Sequence, residues 1–198
     1  CHSLNYLSYR NLSEPGGPSF SEDQVKIIAS QFEVKDGPNS DGEMFIRSAR
    51  PSDKFVSPYE NEQAATAANG GAYPPDMSVL AKARMGGADY IYSLLLGYDE
   101  PPEDIKLDDG VYYNKYMYGN KIKMSAPLSD GLIEYSDGTE ATKEQMAKDI
   151  TTFLMWSAEP HLETRHKTGF RVIVYLIILT ILVYFTMKKI WSRVETKI

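Results

Sequence analysis

The feature that most limits what this chain can fold into is one stretch near the C-terminus, Val172 to Met187, which reads VIVYLIILTILVYFTM without a charge. No earlier segment is comparably apolar. As a helix these sixteen residues rise about 24 Å, somewhat less than the roughly 30 Å hydrocarbon core of a bilayer. Phe170 adds apolar length, Arg171 and Lys188 are placed to extend their charged heads toward the headgroups, and Trp191 suits the interface. The cationic flanks argue against the alternative for so short a run, a buried core helix. We therefore expect a transmembrane helix over about residues 170–188, followed by a short tail. Lys188, Lys189, Arg193 and Lys197 follow the run, against Arg165, Lys167 and Arg171 before it. That slight excess puts the C-terminus inside and the large domain outside.

Charge divides the chain at the same place. Residues 1–164 hold 14 Lys and Arg against 26 Asp and Glu, net −12, whereas residues 165–198 hold 7 against 1, net +6. The expected organisation is a globular domain over 1–164 and a membrane anchor over 165–198. An acidic domain on a basic stalk disfavours nucleic acid and favours a basic protein partner; the plain alternative is a solvated acidic surface. Acidic clusters stand at Asp99-Glu100, Glu103-Asp104 and Asp108-Asp109. Cys1 is the only cysteine, which excludes an intrachain disulfide framework and a thiolate cluster for zinc or iron–sulfur. A start at CHSLNY, without Met or a targeting segment, leads us to expect further residues upstream.

The globular part reads as helices separated by Gly/Pro loops. Ser21 with Gln24 forms a capping box before VKIIASQF, and Asn61 caps NEQAATAAN, which Gly70 and Gly71 end. Pro74 and Pro75 are expected to open a helix through DMSVLAKAR, and Asp89 a second through YIYSLLL to Gly97, the two meeting at Met85-Gly86-Gly87. KDGPNSDGEMF and SARPSDKFVSPY are too rich in turn residues to be regular. VYYNKYMY (111–118) and Leu132 to Tyr135 suit a short hairpin or extended loops, and SDG at 136–138 a turn. Thr142 with Gln145 caps a helix through DITTFLMWSA, broken near Pro160, with Met146, Phe153 and Trp156 on its packed face. From there a helix is free to run through the basic stretch into the membrane. Loops of this extent in a compact domain point to function or to an organising ligand.

The chemistry starts at Cys1-His2, the latter half of the CxxCH pattern in which thiols bind porphyrin vinyl groups and the adjacent imidazole ligates iron. That pair acquires its context from CHSLNYLSYRNL, VKDGPNSDGEMF, QAATAANGGAYPPDMSVLAKARMGGADYIYSLLLGY, GNKIKMSAPL and EYSDGTEATKEQMAKDITTFLMWSAEP. With the terminal anchor, and in this order, these segments resemble the cytochrome c1 family, the membrane-anchored haem c subunit of the cytochrome bc1 complex. The resemblance covers essentially the whole chain.

It implies a mainly α-helical, cytochrome c-like haem domain with long family-specific loops. It makes His2 and Met124 the axial ligands and Cys1 a thioether cysteine of one haem c. The pattern's first cysteine has no counterpart here, so either it lies upstream or the haem is held through one thioether. Arg84 and Tyr90 match positions that engage the haem propionates, and Asn69 and Pro75 match others lining the pocket. A His/Met pair fills both axial positions and suits electron transfer rather than oxygen activation. His161 and His166 lie five apart, off helical i, i+4 spacing, and read as surface residues.

The implied function is electron transfer within ubiquinol–cytochrome c oxidoreductase, from the Rieske iron–sulfur protein to soluble cytochrome c, the chain not being catalytic alone. The implied partners are cytochrome b, the Rieske protein, soluble cytochrome c, accessory subunits and membrane lipid. The lack of large insertions favours the mitochondrial inner membrane, with the haem domain in the intermembrane space, over a bacterial plasma membrane. Two alternatives are a stand-alone membrane-anchored monohaem cytochrome c and a haem-free acidic adaptor.

Overall fold

The computed structural model describes residues 1–103 and 105–195; Asp104 of the acidic clusters and Lys197 of the tail lie outside them. The chain forms two units, one ending at Pro160 and one starting at His161.

In the first unit, α1 (Glu22–Ser30) starts at the expected capping box: Ser21 Oγ accepts from the Gln24 N–H, and Gln24 Oε1 from the Ser21 N–H. β1 (Glu33–Asp36) and β2 (Phe45–Ser48) then pair antiparallel, Glu33 opposite Ser48 and Asp36 opposite Phe45. This hairpin corrects the reading of KDGPNSDGEMF as wholly irregular. Its turn residues confine the loop to 37–44, and Arg47 pins it by pairing with both Asp36 and Asp53. Asp53 carries a bond from the Arg47 guanidinium and another from the Arg50 N–H, which hold its carboxyl down at about 2. Asn61 caps α2 (Glu62–Ala68), its Oδ1 accepting from the Ala64 N–H.

The helix expected from Pro74 onward is a second correction. Only one turn, α3 (Leu80–Ala83), forms, because the Asp76 carboxylate is engaged by the N-terminal segment and by the Ser78 N–H. α4 (Gly87–Leu96) starts two residues before Asp89, from a left-handed Gly86 at φ 83° that few other residues adopt. The second hairpin pairs β3 (Tyr112–Tyr113) with β4 (Lys121–Ile122); Leu132 to Tyr135 are not in it, though the 135–138 turn forms, with a Gly138 N–H to Tyr135 carbonyl bond. α5 (Lys143–Ala158) is capped by Thr142, whose hydroxyl accepts from the Gln145 N–H.

Two apolar clusters fill the unit. In one, Tyr9 is fully buried, its ring 4.6 Å from Phe55 and 5.6 Å from Phe32, with Leu12, Val25 and Ala29 around it. The other joins Leu80, Ala81, Ile91, Leu154 and Ala158. Phe153 packs on both, so α5 ties the N-terminal layer to the α3–α4 pair. Burying a leucine such as Leu154 stabilises by about 1.5–3 kcal/mol.

The second unit is one helix, α6 (Leu162–Glu195), which continues the apolar run at both ends. It is long and apolar enough to cross a membrane, with a mean hydropathy of 2.3 over its most apolar window and none of that window buried in the protein. Thr180 and Thr186 donate their hydroxyls to the carbonyls of Leu176 and Leu182. Both polar groups are thereby satisfied within the helix, as a hydrocarbon surrounding demands. His161 and His166 are exposed.

Candidate functional site

The site is organised by the contact between residues 2–6 and residues 75–78. Asp76 is its knot: Oδ2 accepts from the Ser3 hydroxyl and the Asn5 N–H, both at 2.9 Å, and Oδ1 from the Ser78 N–H at 2.8 Å. Burial opposes the charge, but the surrounding N–H and O–H donors outweigh it and hold the carboxyl below its ordinary value. The Met77 N–H donates to the Ser3 carbonyl, and the Tyr6 N–H to the hydroxyl of the fully buried Ser78. Ser157 on α5 closes the stack by donating to the Ser78 carbonyl at 2.7 Å.

This frame aligns His2 with Pro75. His2 Nδ1 lies 2.8 Å from the Pro75 carbonyl oxygen. A carbonyl only accepts, so Nδ1 is the donor of this bond and Nε2 is the ring nitrogen left for another partner. Cys1 is exposed and borders a cavity of about 230 Å³ lined also by Ser3, Tyr59, Glu62, Tyr73 and Pro74.

Asn69 ends α2, its amide donating to the Ala65 carbonyl at 2.7 Å and to the Tyr59 phenol at 3.2 Å. Arg84 and Tyr90 flank the Gly86-Gly87 turn. The Arg84 side chain is exposed and reaches only the Ala83 carbonyl, and among the described residues no carboxylate pairs with it. Tyr90 is half-buried, its phenol 3.6 Å from Met117 Sδ. Met124 is half-buried two residues past β4, its carbonyl accepting from the Tyr98 phenol at 3.1 Å. Burial pushes the Tyr98 phenol up to about 12. No hydrogen bond joins His2, Met124, Arg84 and Tyr90 to one another; of the expected residues, only His2 and Pro75 are bonded directly. Among the described residues no group of three or more His, Cys, Asp or Glu is gathered as a metal site.

The family model described as the Cytochrome C1 family matches residues 1–194. This chain belongs to the cytochrome c1 family. It is 51% identical to the cytochrome b/c1 of Bradyrhizobium diazoefficiens over 97% of its length and 31% of that protein's. It is 44% identical to a mitochondrial cytochrome c1 heme protein of Solanum tuberosum, over all of this chain and 75% of the relative. It is 45% identical to the mitochondrial cytochrome b-c1 complex catalytic subunit of Candida albicans, over all of this chain and 68% of that one. The chain thus spans about a third of the first relative and two thirds to three quarters of the others. The bacterial alignment runs to 211 residues and so contains gaps, whereas the plant one needs only 197.

Within this cytochrome c1 framework, sequence reasoning missed Asp76, Ser78, Tyr98 and Asn114. Asp76 sits where a proline-led helix start is expected, which hides its role in the knot. Asn114 is fully buried, with its amide donating to the Leu94 carbonyl and its Oδ1 accepting from the N–H groups of Tyr116 and Met117. Lying inside a tyrosine-rich stretch, it gives no local signal.

Proposed function

We propose that this chain carries one haem c, held through Cys1 and ligated by His2 and Met124, and serves as the electron-transfer subunit of a ubiquinol–cytochrome c oxidoreductase. In this reading it accepts electrons from a Rieske iron–sulfur protein and passes them to soluble cytochrome c, and it does not oxidise quinol alone. The observation that carries the reading is the His2 Nδ1–H to Pro75 carbonyl bond. It orients the ring and leaves Nε2 as the nitrogen for the iron, which is the usual arrangement behind a metal-bound imidazole.

The surrounding residues fit the group. Cys1 is exposed and borders the cavity, so its thiol is open to thioether formation. Arg84, unpaired with any described carboxylate, would offer its guanidinium to a propionate, and the Tyr90 hydroxyl, 3.6 Å from Met117 Sδ, would turn to another propionate oxygen. In this reading Pro75 acts through the carbonyl bonded to His2, and Asn69 through its bond to Tyr59, which lines the cavity. His2 and Met124 would hold the iron of a bound haem, which would supply a reversible one-electron change, and a thioether ligand would favour its reduced state. The protein's part is orientation and electrostatics.

The acidic clusters at residues 99–109 supply the docking element for a basic cytochrome c. Asp99 is paired with Lys115, whose ammonium holds its carboxyl below the ordinary value, so Glu100, Glu103, Asp108 and Asp109 carry the unbalanced charge. The α6 helix anchors the domain beside cytochrome b and accessory subunits, in contact with membrane lipid. The compact alignment to plant cytochrome c1 supports a mitochondrial inner membrane, and the slight excess of Lys and Arg after the apolar run favours a haem domain in the intermembrane space. The test is a reduced-minus-oxidised spectrum of the purified membrane protein together with copurification of a b-type cytochrome. We expect a c-type signal that survives denaturation and a b-type partner. A spectrum without a c-type signal refutes the haem, and a c-type signal without the partner refutes membership of the complex.

A further inference from the structure

The Met124 segment is short of regular structure. β4 ends at Ile122, and the next regular element is α5, starting at Lys143. A weak axial ligand on such a segment needs a fixed backbone, and the structure shows where the fixing comes from. α4 is capped by Gly97, and residues on both sides of that glycine are bonded to the chain leading to Met124. Tyr98 pairs with Asn114 as an isolated antiparallel bridge, and the Lys115 N–H donates to the Gly97 carbonyl at 2.9 Å. Asn114 then joins the end of α4, through Leu94, to the 114–120 turn: its amide reaches the Leu94 carbonyl at 2.8 Å, its Oδ1 takes the N–H groups of Tyr116 and Met117, and its own N–H goes to the Asn120 carbonyl at 3.1 Å. β4 follows that turn directly. The Tyr98 phenol in turn reaches past the hairpin to the Met124 carbonyl itself.

We propose that Tyr98 and the buried Asn114 are positioning residues that clamp the Met124 segment to the end of α4 and thereby keep the thioether on its iron; the inference rests on Met124 being the axial ligand. Asn114 sets the turn that aims β4, and Tyr98 fixes the backbone of the ligand residue. Without the phenol the segment gains freedom to swing away, and an added base competes more effectively for the vacated position. Losing one neutral hydrogen bond corresponds to roughly a fivefold change in such an equilibrium.

The test uses the haem-loaded, detergent-solubilised protein and imidazole as the competing base. Tyr98→Phe keeps the ring and removes the hydroxyl. Tyr135→Phe is the matched control, since it removes a phenol bond to Asp149 on α5, outside the clamp. We expect Tyr98→Phe to raise the apparent imidazole affinity about fivefold and weaken the near-infrared Met-to-iron absorption, with Tyr135→Phe changing neither. Asn114→Ser, which retains a smaller hydrogen-bonding side chain, should act in the same direction. Wild-type imidazole affinity in Tyr98→Phe, or an equal rise in Tyr135→Phe, overturns the clamp while leaving the ligand assignment intact. Equal imidazole affinity in wild type and Met124→Leu overturns both.

Discussion

Replacing Asp76 tests the knot on which the His2 geometry depends. Three donors converge on its carboxylate, at 2.8–2.9 Å, and the side chain is half-buried. Hydrogen bonds to a charged group contribute about 1.5–3 kcal/mol each when well shielded, and partial exposure reduces the set to roughly 3 kcal/mol in all. Asp76→Asn keeps one acceptor oxygen but turns an amide NH2 toward at least one N–H donor, so it should lose most of that sum. For a unit of this size, this corresponds to a fall of about 6–12 °C in Tm. The sign of the pH dependence follows from the folded-state carboxyl lying below its ordinary 3.8. Folding favours the ionised form, so the difference between wild type and Asp76→Asn should be complete above about pH 5 and fade as pH falls through the folded-state value. Thermal melts of both proteins across that range, with the oxidised spectrum recorded in parallel, measure it. A Tm within about 1 °C of wild type at neutral pH, or a difference that grows on acidification, refutes the reasoning.

Other perturbations are as direct. Gly97→Ala puts a methyl 2.7 Å from a Tyr116 ring carbon, 2.8 Å from Asn114 Oδ1 and 2.9 Å from the Ser93 carbonyl, and such overpacking should cost about 1–3 kcal/mol in a denaturant melt; a neutral result would show that the α4 end has room to relax. Electron transfer to a basic cytochrome c should slow steeply as salt rises, because the Debye length is only about 8 Å at physiological ionic strength. Neutralising Asp108 and Asp109 should flatten that slope, and a rate indifferent to salt would reduce the acidic clusters to a solvated surface. Protease added to intact mitoplasts should digest the haem domain and spare the tail after Lys188; the opposite pattern reverses the orientation.

The sequence made the long elements legible because their signals are local. The Ser21, Asn61 and Thr142 caps and the uncharged run of α6 each declare themselves within a few residues. The first hairpin was hidden because its strands are four residues each and its loop is dominated by turn formers, while the ion pairs that secure it join positions 36, 47 and 53. The helix expected from Pro74 failed for a related reason: local rules place Asp76 in a first helical turn, but residues more than seventy positions away claim its carboxylate. His2, Met124, Arg84, Tyr90, Asn69 and Pro75 were named through resemblance rather than through spacing. What sequence did not expose is the support beneath them, since Asp76, Tyr98 and Asn114 act through backbone groups that only the fold brings near.

The central claim is that His2 and Met124 hold the iron, and the most direct measurement is the near-infrared absorption and midpoint potential of the oxidised protein beside those of Met124→Leu. The wild type should show the Met-to-iron band and a high potential. The variant should lose the band and drop in potential while its haem stays on the chain after denaturation. A variant that keeps both the band and the potential would contradict the assignment.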